Sequence, residues 1–401
     1  MTKNTEAPAL LQPALSNFTT AGTAAAPAKP NRRWISLDLL RGATVALMIL
    51  VNTAGDGKVS FDQLRHSAWN GCTLTDIVFP LFLFWMGLAM AISFAGRHAR
   101  KIPNGTIVKQ AARRAATIIA LGLLLNALPF FHLAALRYCG VMQRIGLCYF
   151  LAAVLLLFLD ARKLIVAVTV LLVGYWALLT LVPVPGYGGQ NGIALGVLNP
   201  EANLASALDR ILIPDANRYH HTFYDPEGIL STLPALATVL AGALAGLWLR
   251  HKQGRGLRAM AFAGAASMGL ALLWNLVFPI NKRMWTSSYV LWTAGIALLL
   301  LAAAKAWFDG DRPRSARPFG TPFLAFGSNA LVAYMLSELL TILIDTIPVP
   351  NYVNLQKWSY ALIPAWTTPA PLRSLLWSIL FVGLCYIPVH ILYRKKIFIK
   401  L

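Results

Sequence analysis

An amide at Asn52 and an imidazole at His66 are the side chains of this sequence best suited to chemistry on a carbonyl carbon. An amide can donate to a carbonyl oxygen as negative charge develops, and a neutral imidazole can take a proton from an attacking nucleophile, so acyl transfer uses both. His66 sits in a polar stretch, residues 61–71, between two apolar segments each long enough to cross a bilayer. The plain alternative is that Asn52 only ends a helix and His66 is an interfacial histidine satisfied by neighbours. Asp76 stands just beyond, with Thr73-x-x-Asp76 in capping-box spacing where the second apolar segment begins. Pro80 follows and restricts or kinks that helix start, which would leave backbone amides facing the His66 loop as oxyanion donors.

Ionisable residues inside apolar segments need a physical reason. Asp38 and Arg41 lie one helical turn apart on the first segment, and read either as a mutually neutralising pair or as a cationic site for an anionic ligand. Arg144, next to Gln143, and Glu338 present the same choice. The pair His220-His221 is external and could contact a substrate, but adjacent histidines make no recognisable metal site. The four cysteines, Cys72, Cys139, Cys148 and Cys385, also lack ligand spacing, so no metal is expected.

These residues must be positioned by membrane helices. Of 401 residues, 57% are hydrophobic and 12% charged, which excludes an ordinary soluble domain. The expected fold is an all-α integral membrane protein, a polytopic bundle of about ten transmembrane helices near 34–52, 72–94, 114–130, 140–159, 164–182, 229–249, 259–278, 288–307, 320–343 and 373–393. The net charge of +20 is spread between the apolar runs rather than gathered on one face, so it reports topology and not nucleic acid. Of the 35 Lys and Arg, 24 fall on one side of the predicted spans and 9 on the other; the first side is cytoplasmic, with both termini, and His66 is external. Residues 1–31 read as a disordered cytoplasmic tail and 32–401 as one membrane domain with external loops 53–71, 183–228 and 345–371. Within the second loop, Leu204, Leu208, Ile211 and Leu212 are spaced as a short amphipathic helix.

The run Arg33-Trp34-Ile35-Ser36-Leu37-Asp38-Leu39-Leu40-Arg41-Gly42 is similar to the opening of the transmembrane acyltransferase superfamily. Asn52, then His66-Ser67-Ala68-Trp69-Asn70-Gly71, then Asp76-Ile77-Val78-Phe79-Pro80 resembles the heparan-α-glucosaminide N-acetyltransferase family. The likeness continues through Gly140-Val141-Met142-Gln143-Arg144, Tyr224-Asp225-Pro226-Glu227-Gly228 and Asn281-Lys282-Arg283-Met284-Trp285.

That resemblance implies a multi-pass enzyme of the bacterial inner membrane that takes acetyl-CoA from the cytoplasm and acetylates the amine, or a hydroxyl, of a periplasmic sugar, an amino sugar being the expected acceptor. It places the family's catalytic histidine on His66 and its assisting asparagine on Asn52. It makes Arg41, Arg113 and Arg114, with Asp38, Gln143 and Arg144, candidates for the acetyl-CoA site. Trp69, Asn70, Asp76, Asp225, Glu227, Asn281 and Lys282 become candidates for the sugar. His66 would act as general base or carry the acetyl group itself. The large luminal N-terminal domain of the lysosomal members has no expected counterpart, and a homodimer is left open. The rival reading is a transporter or sugar-export component without covalent chemistry.

Overall fold

The computed structural model describes residues 34–185, 193–194, 196–252, 256–309, 320–365 and 369–399. The expected tail, residues 1–31, lies outside them, as do parts of the expected loops 183–228 and 345–371. The protein is a polytopic helical membrane protein. Its helices are α1 (Ile35–Asn52), α2 (Leu74–Ala99), α3 (Asn104–Ala127), α4 (Val141–Phe158), α5 (Ala161–Leu181), α6 (Leu204–Leu212), α7 (Thr232–His251), α8 (Leu257–Asn275), α9 (Ser287–Phe308), α10 (Thr321–Ser328), α11 (Ala330–Thr346), α12 (Leu355–Ala361) and α13 (Ala370–Arg394). Among the described residues the only strands are two-residue β1 (Val184–Pro185) and β2 (Ile193–Ala194), paired antiparallel in the loop after α5.

Eight of these helices are long and apolar enough to cross a membrane, nine if α10 and α11 form one span, against the expected ten. Two expected spans account for the difference. α3 begins well before residue 114 and carries Lys109, Arg113 and Arg114, so its first half is too polar. The expected span at 320–343 is broken, with α10 and α11 meeting at 90° across Asn329.

Local chemistry starts the helices where the chain must turn. Asp160, Asn203 and Asn354 each accept a backbone N–H three residues on, at 2.8–2.9 Å, opening α5, α6 and α12. α8 follows Gly256, whose φ of +87° suits glycine. α6 forms where the spacing predicts it, but it buries Ala205, Ser206 and Asp209 and leaves Ile211 and Leu212 exposed.

α2 and α7 are the most enclosed spans, whereas α5, α8 and α13 turn broad apolar surfaces outward, as helices facing lipid do. Two close crossings hold the centre. A Cβ added at Gly87 would lie 1.9 Å from the Val239 carbonyl oxygen, and one at Gly242 would lie 2.0 Å from that of Phe84, so α2 and α7 touch backbone to backbone. Gly42 and Gly327 do the same for α1 and α10. Gly87→Ala is therefore expected to lower thermal stability in detergent by about 1–3 kcal/mol. Gly96→Ala, on the same helix with nothing within 4 Å of the new carbon, should be neutral or slightly stabilising. Equal melting temperatures for the two variants would refute this packing.

Candidate active site

The Asp76 carboxylate organises the loop that carries His66. It is 1% exposed at the first turn of α2, and its Oδ1 lies 2.7 Å from His66 Nδ1. Its Oδ2 accepts the Ser67 N–H at 3.1 Å and the Thr73 N–H and hydroxyl at 3.0 Å each. The expected capping box forms, and the same carboxylate also grips the imidazole. With Nδ1 directed at a buried acceptor, the lone pair of the neutral ring is on Nε2. The His66 side chain is 40% exposed, which leaves it reachable.

Lys282 Nζ lies 3.3 Å from His66 Nε2. Burial pushes the basicity of His66 down and the Lys282 cation adds to this, while the hydrogen bond to Asp76 pulls the other way; the net shift is downward. Lys282 is itself shifted down, chiefly by burial. A neutral, base-competent imidazole is thus maintained over a wider pH range than in free histidine.

His66 and Asn52 line one cavity of about 460 Å³ with Gln143, Arg137, Glu227, Lys282, Arg283, Tyr334 and Glu338. Asn52, the last residue of α1, makes no side-chain hydrogen bond among the described residues, so its amide is free toward the cavity. Two further donors there, Gln143 Nε2 and Arg283 Nε, are buried without a partner among the described residues. Unpaired buried donors around a cavity suit a ligand rich in acceptor oxygens.

A second cavity, of about 470 Å³, opens toward the start of α1. Asp38, Arg41 and Arg114 line it, with Tyr149, Gly327, Ser328, Ala330 and Leu331. Arg41 lies 3.8 Å from Asp38, and the Arg114 guanidinium stacks 4.9 Å from the Tyr149 ring centre. The first turn of α11 borders this cavity, and a helix N-terminus favours anions. The two cavities use the same helices. Ile118 borders one and Gly122 the other on α3; Ile145 and Met142 divide likewise on α4, and Leu331 and Tyr334 on α11. On α3, α4 and α11 the two linings come within about one helical turn of each other, and there Ile118, Met142, Ile145 and Tyr334 belong to a single apolar cluster; on α1 the nearest lining residues, Arg41 and Val51, lie farther apart.

The remaining sequence candidates fall elsewhere. Gln143 lines the His66 cavity rather than the Arg41 cavity, and Arg113 is exposed away from both. Arg144 is buried and donates to the Gly228 carbonyl at 3.0 Å and the Ser231 hydroxyl at 2.5 Å. Of the sugar candidates, Glu227 and Lys282 line the His66 cavity. Trp69 donates to the Leu198 carbonyl at 2.7 Å, and Asn70 accepts from Asn281 at 3.0 Å; these residues clamp the loops at this end of the bundle together. Asp225 takes Arg137 Nε at 3.1 Å and Nη2 at 2.6 Å, while Glu227 takes Nη2 at 2.7 Å. Burial pushes Asp209, which accepts the Asp225 and Ile229 N–H groups, up to about 6. Sequence reasoning missed Arg137, Arg283 and Tyr334 as cavity residues. The available signal was the scarcity of cations on the side expected to be external: of nine, Arg137, Lys282 and Arg283 converge here. Among the described residues no group of three or more His, Cys, Asp or Glu could hold a metal.

Fold and cavities together define a multi-pass helical membrane protein with an ionisable cavity toward each end of one bundle. The family profile described as heparan-alpha-glucosaminide N-acetyltransferase, catalytic, matches residues 33–273. The human heparan-alpha-glucosaminide N-acetyltransferase is 30% identical over 417 residues, covering 91% of this chain and 59% of its own length. The mouse protein of the same name is 28% identical over 416 residues, covering 91% and 60%. The chain thus spans about three fifths of the length of these curated relatives. It belongs to the heparan-alpha-glucosaminide N-acetyltransferase catalytic family.

The electrostatics of His66 can be read directly. In a histidine-selective NMR titration, His66 should protonate below the ordinary value near 6.5. In Lys282→Met, which removes the neighbouring cation, the midpoint should move up. A wild-type midpoint at or above 6.5 would contradict the assignment.

Proposed function

We propose that the protein transfers an acetyl group from cytoplasmic acetyl-CoA to the amine of an amino sugar on the external side of a membrane. The observation that carries this reading is the pair of cavities on shared helices, one with Arg41 and Arg114 and the other with Asn52 and His66. Arg41, Arg114 and the first turn of α11 offer phosphates two charge-assisted donors and a row of backbone amides. The unpartnered amides of Asn52 and Gln143 suit the thioester carbonyl. In this reading the narrow thioester-bearing arm crosses the apolar turn while the phosphates stay at the Arg41 end.

His66, oriented by Asp76, takes a proton from the attacking amine at Nε2 and returns it to the departing thiolate. Asn52 donates to the carbonyl oxygen as charge builds. The Nε2 lone pair would also serve a nucleophilic histidine, and trapping of an acetylated enzyme without acceptor separates the two routes. Residues 32–401 would act as one membrane domain with both termini cytoplasmic, in the inner membrane of a bacterium. Whether two copies assemble is open to mass measurement in detergent.

The reading is tested by release of free thiol from acetyl-CoA by the purified protein with a panel of amino sugars. His66→Ala should lower amine-dependent turnover by about 10²- to 10⁴-fold. Arg41→Ala and Arg114→Ala should each raise the KM for acetyl-CoA by about tenfold and leave the acceptor KM near its wild-type value. Failure of the wild type to bind acetyl-CoA would overturn the donor assignment and favour a transporter, for which the broken α10–α11 span is the structural argument.

A further inference from the structure

The His66 cavity contains two carboxylates in opposite circumstances. Glu227 is matched by Arg137. Glu338 stands on α11 one turn from Tyr334, the two facing the cavity with Thr341. The polar group that acts on it is the Tyr334 hydroxyl, and among the described residues it has no ion-pair partner. A carboxylate within a membrane span, facing a cavity and lacking a fixed cation, is costly unless a cation arrives to meet it. Besides the Arg137–Glu227 pair, the cavity's other charged groups are the cations Lys282 and Arg283, which repel a positive ligand from their side. One place in the cavity is therefore suited to a positive group, and it shares that cavity with Asn52 and His66.

We propose that Glu338 is the recognition group for the protonated amine of the acceptor and the first base it meets. This rests on the acetyl-transfer reading and extends it to how the acceptor is selected. An amine that arrives as an ammonium must lose two protons to become an amide, and His66 accounts for one. The ammonium gives the other to the Glu338 carboxylate, which passes it to external water. The freed nitrogen lone pair attacks the thioester carbonyl carbon, and the carbon–nitrogen bond forms as the carbon–sulfur bond breaks. The second nitrogen proton goes to His66 Nε2 and then to the thiolate. One proton is released per turnover, and the charge balances. Glu338 on this account favours amines over the corresponding hydroxyls, since a hydroxyl carries neither the charge nor the extra proton.

The test is equilibrium binding of glucosamine and of glucose to purified wild type, Glu338→Gln and Glu338→Asp, with the KM for acetyl-CoA measured alongside. Wild type should prefer glucosamine by at least about tenfold, Glu338→Gln should lose that preference, and Glu338→Asp should keep part of it. A role in structure alone would lower thermal stability and weaken both sugars equally. The inference is overturned if wild type shows no preference, if Glu338→Gln retains it, or if the variant weakens acetyl-CoA as much as glucosamine. The acetyl-transfer reading fails on a different measurement, the absence of thiol release by wild type, so the two failures are told apart.

Discussion

One buried carboxylate sets much of the architecture at the His66 end of the bundle. Asp76 must accept the donors that the start of α2 leaves without intrahelical partners, and it does so while holding both His66 and the Ser67 amide. Its backbone carbonyl takes the Tyr289 hydroxyl at 2.5 Å, tying α2 to α9. The loop after His66 is secured from α9's side as well, through the Gly71 N–H to the Ile280 carbonyl at 2.8 Å and the Asn70–Asn281 pair. Removing the Asp76 charge would therefore loosen a helix start and an imidazole together. Local folding and the geometry of the candidate base share one group.

The break between α10 and α11 follows the same economy. Irregular backbone at membrane depth survives where it is enclosed by protein or borders a cavity. Gly327, Ser328 and Ala330 border the Arg41 cavity, and the Asn329 side chain donates to the Ile397 carbonyl at 3.1 Å and accepts the Ile399 N–H at 3.0 Å. The residue at the bend thus holds the segment after α13, and the first turn of α11 is left directed at the cavity. Close glycine contact between α1 and α10 keeps Asp38 and Arg41 beside that turn.

Much of this was legible in the residues because bilayer physics acts on runs. Long apolar segments announced the helices, Thr73-x-x-Asp76 announced the start of α2, and Asn52 and His66 were expected on one side and do share a cavity. What was not legible depended on pairing between distant segments. Nothing local distinguishes Arg137, which clamps two carboxylates, from a solvated loop arginine. Trp69, Asn70 and Asn281 sit among the motif residues but serve to fasten loops, a distinction set by hydrogen-bond partners far along the chain. The 90° bend was hidden because Asn329 interrupts an otherwise continuous apolar run, and composition alone does not report direction.

The thin apolar partition between the cavities also shapes the electric field inside the protein. A membrane voltage drops mainly across material that water and ions do not enter, normally about 30 Å of hydrocarbon. Here a cavity enters from each end, and on α3, α4 and α11 the two linings come within about one helical turn, roughly 5 Å, of each other. The drop is then compressed several-fold, and any formal charge moved through that turn would do work against most of the potential. Ile118, Met142, Ile145 and Tyr334 place none there. The partition behaves as a thin capacitor dielectric: a neutral group can cross it at little electrical cost, whereas a phosphate or an ammonium is held to the side from which it came.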